Sequence, residues 1–96
     1  MSEYLPDISP ELETAFTVFL AERTERVSMV YVTPAYAVRA AFRAWIRDNS
    51  LPVGKPSVAQ VNWLLDEANV PLEILPARTG IKMPHACGVR LTGGAK

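Results

Sequence analysis

Basic side chains beside a glycine in the last third of the chain suggest phosphate binding. Arg78, Thr79, Gly80 and Lys82 lie in the segment PARTGIKMPH, whose glycine and prolines break regular secondary structure. Guanidinium and ammonium groups bind phosphate, and a glycine lets main-chain amides approach it closely. A solvated turn is an equally good interpretation, because exposed bases are common in loops.

A second group of polar residues stands where a helix is expected to begin. Ser57 fits the helix cap, with Lys55 just before it and Gln60 in the first turn. Free amides and the positive end of the helix dipole favour phosphate there, and a glutamine amide can pair with an adenine edge. For Ser57 the cap is the simpler role.

A row of three arginines at four-residue spacing predicts a basic stripe along one helix. The row consists of Arg39, Arg43 and Arg47, with Tyr36 near its start. These side chains either contact phosphate or are solvated or paired with acids of the first helix. Exposed pairs of that kind contribute only about 0 to 1 kcal/mol. The acids in question are Glu11, Glu13 and Glu22.

The sequence gives little support for catalysis or for a cofactor. His85 and Cys87 form an H-x-C pair, but a zinc site needs three or four ligands and no second pair exists. No serine lies in a GxSxG motif, and no acid and base pair can be named. We therefore expect a protein without enzymatic activity, metal or cofactor.

The elements that would position these residues follow from periodicity. A Ser9–Pro10 cap signature starts a helix that extends to about Glu22, and VSMVYV, residues 27 to 32, has the composition of a strand. Thr33–Pro34 repeats the cap signature before a second helix from about Pro34 to Asp48. The second helix has an apolar stripe on one face. That stripe contains Val38, Ala41, Phe42, Trp45 and Ile46.

The third helix is expected from about Val58 to Asn69. Its predicted buried face contains Val58, Val61, Leu64, Leu65 and Ala68. Trp63 points nearly opposite that face, so it is either covered by another element, placed in a dimer interface, or available to stack on a base. Leu72–Leu75 and Ala86–Leu91 have the composition of two strands, which makes the intervening segment a candidate wing.

Length and composition bound the class of protein. A chain of 96 residues, 49% hydrophobic and 21% charged, predicts a single globular domain over 1–96, with flexible ends at 1–9 and 92–96. No apolar run approaches the ~18 residues of a membrane span, and the acidic start is unlike a signal peptide. One isolated cysteine fits a reducing compartment, so the expected location is cytoplasmic.

The formal net charge is zero, but the charges are unevenly distributed. Residues 1–26 carry six acids and two bases, whereas residues 27–96 carry eight bases and four acids. An acidic head therefore precedes a basic body, which supports an anionic partner for the body.

The order helix, strand, helix, helix, strand, strand is that of an α+β winged helix-turn-helix. The stretch from Val32 to Leu91 also resembles the C-terminal winged-helix domain of D5-like and P4-like phage and plasmid primase-helicases. The resemblance lies in TPAYAVRAAFRAWIRDN, with its Phe42 and Trp45, in PSVAQVNWLLDEANV, with its Ser57 and Leu65, and in the closing GVRL. It implies contact with DNA and an origin in a phage or mobile element. ATPase and primase activity do not carry over from that family, because the chain has no GxxxxGK[ST] motif.

Two classes of function follow. In the first, the protein binds double-stranded DNA through the Ser57–Leu65 helix and the Arg78–Lys82 wing, as a homodimer if it is sequence-specific, in replication or transcriptional regulation. In the second, the fold is a protein interaction module without DNA binding, and the acidic head and Trp63 contact a replication or transcription protein. The fold alone does not choose between them.

Overall fold

The computed structural model describes residues 7–92, and the first helix, α1, begins where the sequence predicts. It spans Pro10–Arg23, and the Ser9 hydroxyl accepts a hydrogen bond from the Leu12 amide at 3.1 Å. At the other end of the described chain, the Thr92 amide donates to the Arg23 carbonyl at 2.7 Å. Hydrogen bonds therefore hold Ser9 and Thr92, and residues 1–6 and 93–96 of the expected flexible ends lie outside the described residues.

The second helix, α2, spans Ala35–Asp48, in agreement with the predicted range, but its predicted cap is wrong. No side chain caps its first turn. The Thr33 hydroxyl instead donates to the Val89 carbonyl at 2.8 Å, within the interior. Thr33 lies in the strand before the helix with its side chain buried, so its hydroxyl satisfies a buried acceptor rather than the first turn of the helix.

The third helix, α3, spans Val58–Glu67 and has the predicted Ser57 cap. It ends two residues earlier than expected, because Asn69 adopts a positive φ of 63° and the Val70 amide turns back to the Leu65 carbonyl. Val58 was predicted to be buried, but it is 54% exposed at the first position of the helix. The rest of the predicted stripe faces inward, with Ala68 only half-buried.

The core lies where the three helices meet. Phe16 and Phe19 of α1 pack on Phe42 and Trp45 of α2, with ring centroids separated by 4.9 to 5.9 Å. Val61, Leu64 and Leu65 of α3 and Val89 close the same cluster.

Five short strands form two antiparallel sheets. They are β1 (Thr24–Arg26), β2 (Val32–Pro34), β3 (Leu72–Pro76), β4 (Lys82–Cys87) and β5 (Val89–Leu91). One sheet has the order β2-β4-β3, and the other pairs β1 with β5. The predicted strand over 27–32 is wrong, because its first five residues form a loop between β1 and β2.

Strand pairing explains this loop. Arg26 is opposite Val89 and Val32 is opposite Cys87, so five residues, 27–31, lie opposite the single residue Gly88. The Gly88 amide donates to the Tyr31 carbonyl, and its carbonyl accepts from the Val27 amide. Gly88 has a φ of 79°, which separates the expected strand 86–91 into β4 and β5. Residues 28–31 are exposed, and the Met29 sulfur lies over Gly88.

The fold is α+β, with three helices and small antiparallel sheets in the described chain. The order of α2, α3 and the β3–β4 hairpin is compatible with a winged-helix arrangement. None of the helices in residues 7–92 is long and apolar enough to cross a membrane.

Candidate nucleic-acid interface

The β3–β4 hairpin presents Arg78 on a short ordered loop and Lys82 at the first position of β4. Paired residues extend from Leu72 and Ala86 to Pro76 and Lys82. The Ala77 amide then donates to the Ile81 carbonyl and the Gly80 amide to the Ala77 carbonyl, both at 2.8 Å. Gly80 has a φ of 91°, as the last position of a three-residue hairpin loop requires.

This turn changes one expectation about phosphate binding. The main-chain amide of Gly80 was expected to be available, but it is used within the loop. The side chains of Arg78, Thr79 and Lys82 are exposed. Contact with an anion at this loop therefore depends on side chains more than on the Gly80 backbone.

The outer part of the hairpin is basic because acids are absent from its sequence beyond Glu73. Residues 74–92 contain Arg78, Lys82 and Arg90 and no aspartate or glutamate. The nearest acid in the chain, Glu73, is at the base of the hairpin opposite His85. The charged side chains at the tip of the hairpin, Arg78 and Lys82, are consequently all basic.

The start of α3 is built as a capping box. The Ser57 side chain accepts from the Gln60 amide at 3.1 Å, and the Gln60 side-chain oxygen accepts from the Ser57 amide at 2.8 Å. Gln60 Nε2 also donates to the Asp7 carbonyl at 2.8 Å. Both ends of the glutamine amide are therefore occupied, and a base contact by Gln60 would break the cap.

Arg39 connects α2 to the segment before α3. Its Nε donates to the carbonyl of the buried Pro56 at 3.0 Å, which leaves Lys55 exposed just before the helix. At the other end of α2, the Arg47 Nε lies 3.8 Å from the Asp48 Oδ1. The three arginines thus have different surroundings, with Arg43 half-buried between them.

The outward side of α3 is apolar and acidic. Val58, Ala59, Asp66 and Glu67 are exposed, and the helix contains no lysine or arginine. Trp63 is half-buried and packs against the core, so only part of its indole is accessible.

A cavity of about 140 Å³ lies between α2, α3 and β4, and one of its lining residues, Asn62, was not predicted to be functional. Tyr36, Val58, Asn62 and Met83 contribute to its walls. The Asn62 side-chain oxygen is buried and has no hydrogen-bond partner. The available signal was its position four residues after Val58, which puts the two side chains on the same face of α3.

His85 and Cys87 are both buried on β4. The His85 ring Nδ1 lies 2.9 Å from the Met83 carbonyl, and the Cys87 thiol contacts the His85 carbonyl at 3.9 Å. Burial raises the pKa of the Cys87 thiol above its ordinary value, and the Glu73 carboxylate adds to the shift. The Cys87 thiol therefore lacks the lowered pKa of an activated nucleophile, and it packs within the sheet.

Comparisons with known proteins give no relatives. No protein-family model matches the chain, and neither the curated proteins nor the solved structures include a significant match.

Proposed function

We propose that this chain is a non-enzymatic winged-helix protein that binds double-stranded DNA and that the hairpin loop makes the principal contact. The observation that carries the proposal is the acid-free tip of the hairpin, where Arg78 is exposed on an ordered turn and Lys82 is exposed at the start of β4. Phosphate contacts supply most of the nonspecific affinity of such proteins. The resemblance to primase-helicase winged-helix domains favours the same role.

Lys55 gives the site its second point of contact. It is exposed beside the amino-terminal end of α3, and the cavity that contains Val58 and Asn62 of that helix is also lined by Met83 of β4. The start of α3 and the hairpin strand are therefore neighbours. In this proposal Lys55, Arg78 and Lys82 each contact one phosphate, which gives about three phosphate contacts in all.

Asn62 is a better candidate for base recognition than Gln60. Its side-chain oxygen has no hydrogen bond to lose on turning outward, whereas Gln60 would have to break the helix cap. An asparagine amide pairs with the N6 and N7 groups of adenine. Asp66 and Glu67 repel phosphate, so DNA should approach only the first half of α3.

Salt dependence tests this proposal most directly. Fluorescence anisotropy with a labelled random duplex, at several concentrations from about 50 to 200 mM salt, should give a slope of log K on log salt of about −2.7 for three phosphates. Arg78→Ala/Lys82→Ala should reduce the slope to about −0.9. The control variant Arg47→Ala/Arg90→Ala removes the same number of positive charges, but from side chains that pair with Asp48 and Glu25. It should leave the salt slope unchanged.

An interaction module remains the second candidate, and the surface of α3 favours it. That surface has exposed apolar and acidic groups and no base. If the parent protein binds no duplex at the lowest salt concentration, or if the two double variants lose affinity equally, the hairpin proposal is wrong. A protein partner for α3 would then be the better explanation.

A further inference from the structure

A second surface, distant in sequence from the hairpin, is an apolar groove of about 600 Å³ between α1 and the loop after α2. Ala15, Val18 and Trp45 contribute its α1 and α2 sides, and Leu51 and Val53 contribute the loop side. Val18 is 39% exposed, although its apolar neighbours on α1 are buried. The groove shares no residue with the candidate DNA interface.

One face of α1 lines the groove along most of the helix. Its lining residues recur at three- and four-residue steps, which puts them on one side of the helix. They are Glu11, Thr14, Ala15, Val18 and Glu22. The two glutamates are eleven residues apart, so at 1.5 Å per residue their positions are separated by about 16 Å along the helix axis.

The charge of the groove has one sign. Glu11 and Glu22 are its ionisable lining residues, and no lysine or arginine contributes to it. Glu22 is oriented by the Trp45 indole, whose Nε1 donates to the Glu22 Oε1 at 3.2 Å. One carboxylate therefore marks each end of an apolar floor.

We propose that this groove binds an amphipathic helix of a partner protein that carries basic residues about three turns apart and aliphatic residues between them. A cation at each end pairs with Glu11 or Glu22, and the aliphatic side chains cover Val18 and the loop residues. Charge complementarity selects a basic partner, and the length of the glutamate stripe fits a helix lying alongside α1. The proposal stands independently of DNA binding.

Trp45 provides a direct readout. The chain has two tryptophans, so Trp63→Phe leaves Trp45, which lines the groove, as the sole indole. The probe is the acetylated and amidated peptide AKAALLAALAAAKA, whose lysines have the same spacing as the two glutamates. The control, AEAALLAALAAAEA, keeps the leucines and reverses the charge. We expect a saturable change in Trp45 emission with the lysine peptide and none with the glutamate peptide.

Two variants localise the binding. Glu11→Gln/Glu22→Gln keeps an acceptor for the Trp45 indole and should raise the Kd of the lysine peptide about three- to tenfold. Val18→Asp puts a charge on the apolar floor at an exposed position, and should abolish the emission change. Duplex binding by both variants should equal that of the parent.

The proposal is overturned if neither peptide binds, if both bind equally well, or if Val18→Asp binds as the parent does. Sedimentation of the protein alone tests a different occupant. A dimer that becomes a monomer in Val18→Asp would show that a second copy of this chain occupies the groove and would also overturn the proposal.

Discussion

Arg39 and Pro56, seventeen residues apart, are joined by a hydrogen bond from the Arg39 Nε to the Pro56 carbonyl. The bond fixes the segment before α3 against the middle of α2. Arg39 belongs to the predicted basic stripe, and Lys55 directly precedes Pro56. The Arg39 guanidinium therefore contributes to the candidate interface indirectly, by positioning the backbone next to Lys55.

Removal of this bond should lower stability. We expect Arg39→Ala to reduce the free energy of unfolding by about 1.5 to 3 kcal/mol, because a charged donor to a buried carbonyl is lost. Urea denaturation measures the change. Arg47→Ala, in which the lost side chain is 77% exposed, should change it by less than about 0.5 kcal/mol. Equal effects of the two variants would contradict the positioning role.

We expect Gln60 to act in helix capping and Asn62, rather than Gln60, to act in base recognition. Gln60→Ala breaks the capping box and should cost about 1 kcal/mol of stability, with little change in duplex affinity. Asn62→Ala should leave stability nearly unchanged and weaken binding to an adenine-containing site by about 1 to 3 kcal/mol. Thermal denaturation and anisotropy on the same samples distinguish the two, and a loss of affinity in Gln60→Ala alone would reverse the assignment.

The Thr33 hydroxyl should matter because its acceptor is buried. Thr33→Val preserves the shape of the side chain but leaves the Val89 carbonyl without this donor, so we expect a loss of about 1 to 3 kcal/mol in the free energy of unfolding. Thr17→Val is the matched control, since the Thr17 hydroxyl donates to the Glu13 carbonyl in an exposed position. If Thr17→Val costs as much, burial is not the cause.

Cys87 should make stability depend on alkaline pH. Its thiol pKa is raised in the folded protein, first by burial and then by Glu73. The protonated thiol therefore contributes its full stabilisation at any pH below the ordinary thiol pKa. That contribution is lost as the pH rises from the ordinary thiol pKa through the raised pKa of the folded protein. The slope is at most about 1.4 kcal/mol per pH unit.

The difference in unfolding free energy between the parent and Cys87→Ala isolates this contribution from other alkaline titrations. A difference that is constant from neutral to alkaline pH would contradict the shift. A thiol reagent should also label the folded parent far more slowly than the urea-unfolded chain.

The helices could be predicted from the sequence because their signals are local. The Ser9 and Ser57 caps and the spacing of Phe42, Trp45 and Ile46 each depend on residues within one or two turns. The turn at Gly80 could be predicted for the same reason, but the predicted bounds of the loop are wrong. Pro76 ends β3, and Pro84 pairs with Ile74 inside β4, which begins at Lys82 rather than at Ala86.

The rest depended on partners distant in sequence. VSMVYV has the composition of a strand, but its pairing is decided by Gly88, nearly sixty residues later. The same limit applies to Thr33, whose acceptor is Val89, and to the groove beside α1, which forms only when the loop after α2 folds back on Val18. Local propensity cannot report such contacts.

The loop of residues 27–31 is closed at one residue, since Gly88 bonds to both Val27 and Tyr31. The two strand pairings on either side are fixed by residues outside it. Its length is consequently independent of the register of both sheets, and closing a longer loop costs little, about 0.6 kcal/mol per doubling. Val30 is 88% exposed at this site. The fold therefore has a natural point where related chains can differ in length, and where an inserted peptide or label can be accommodated without shifting a single strand.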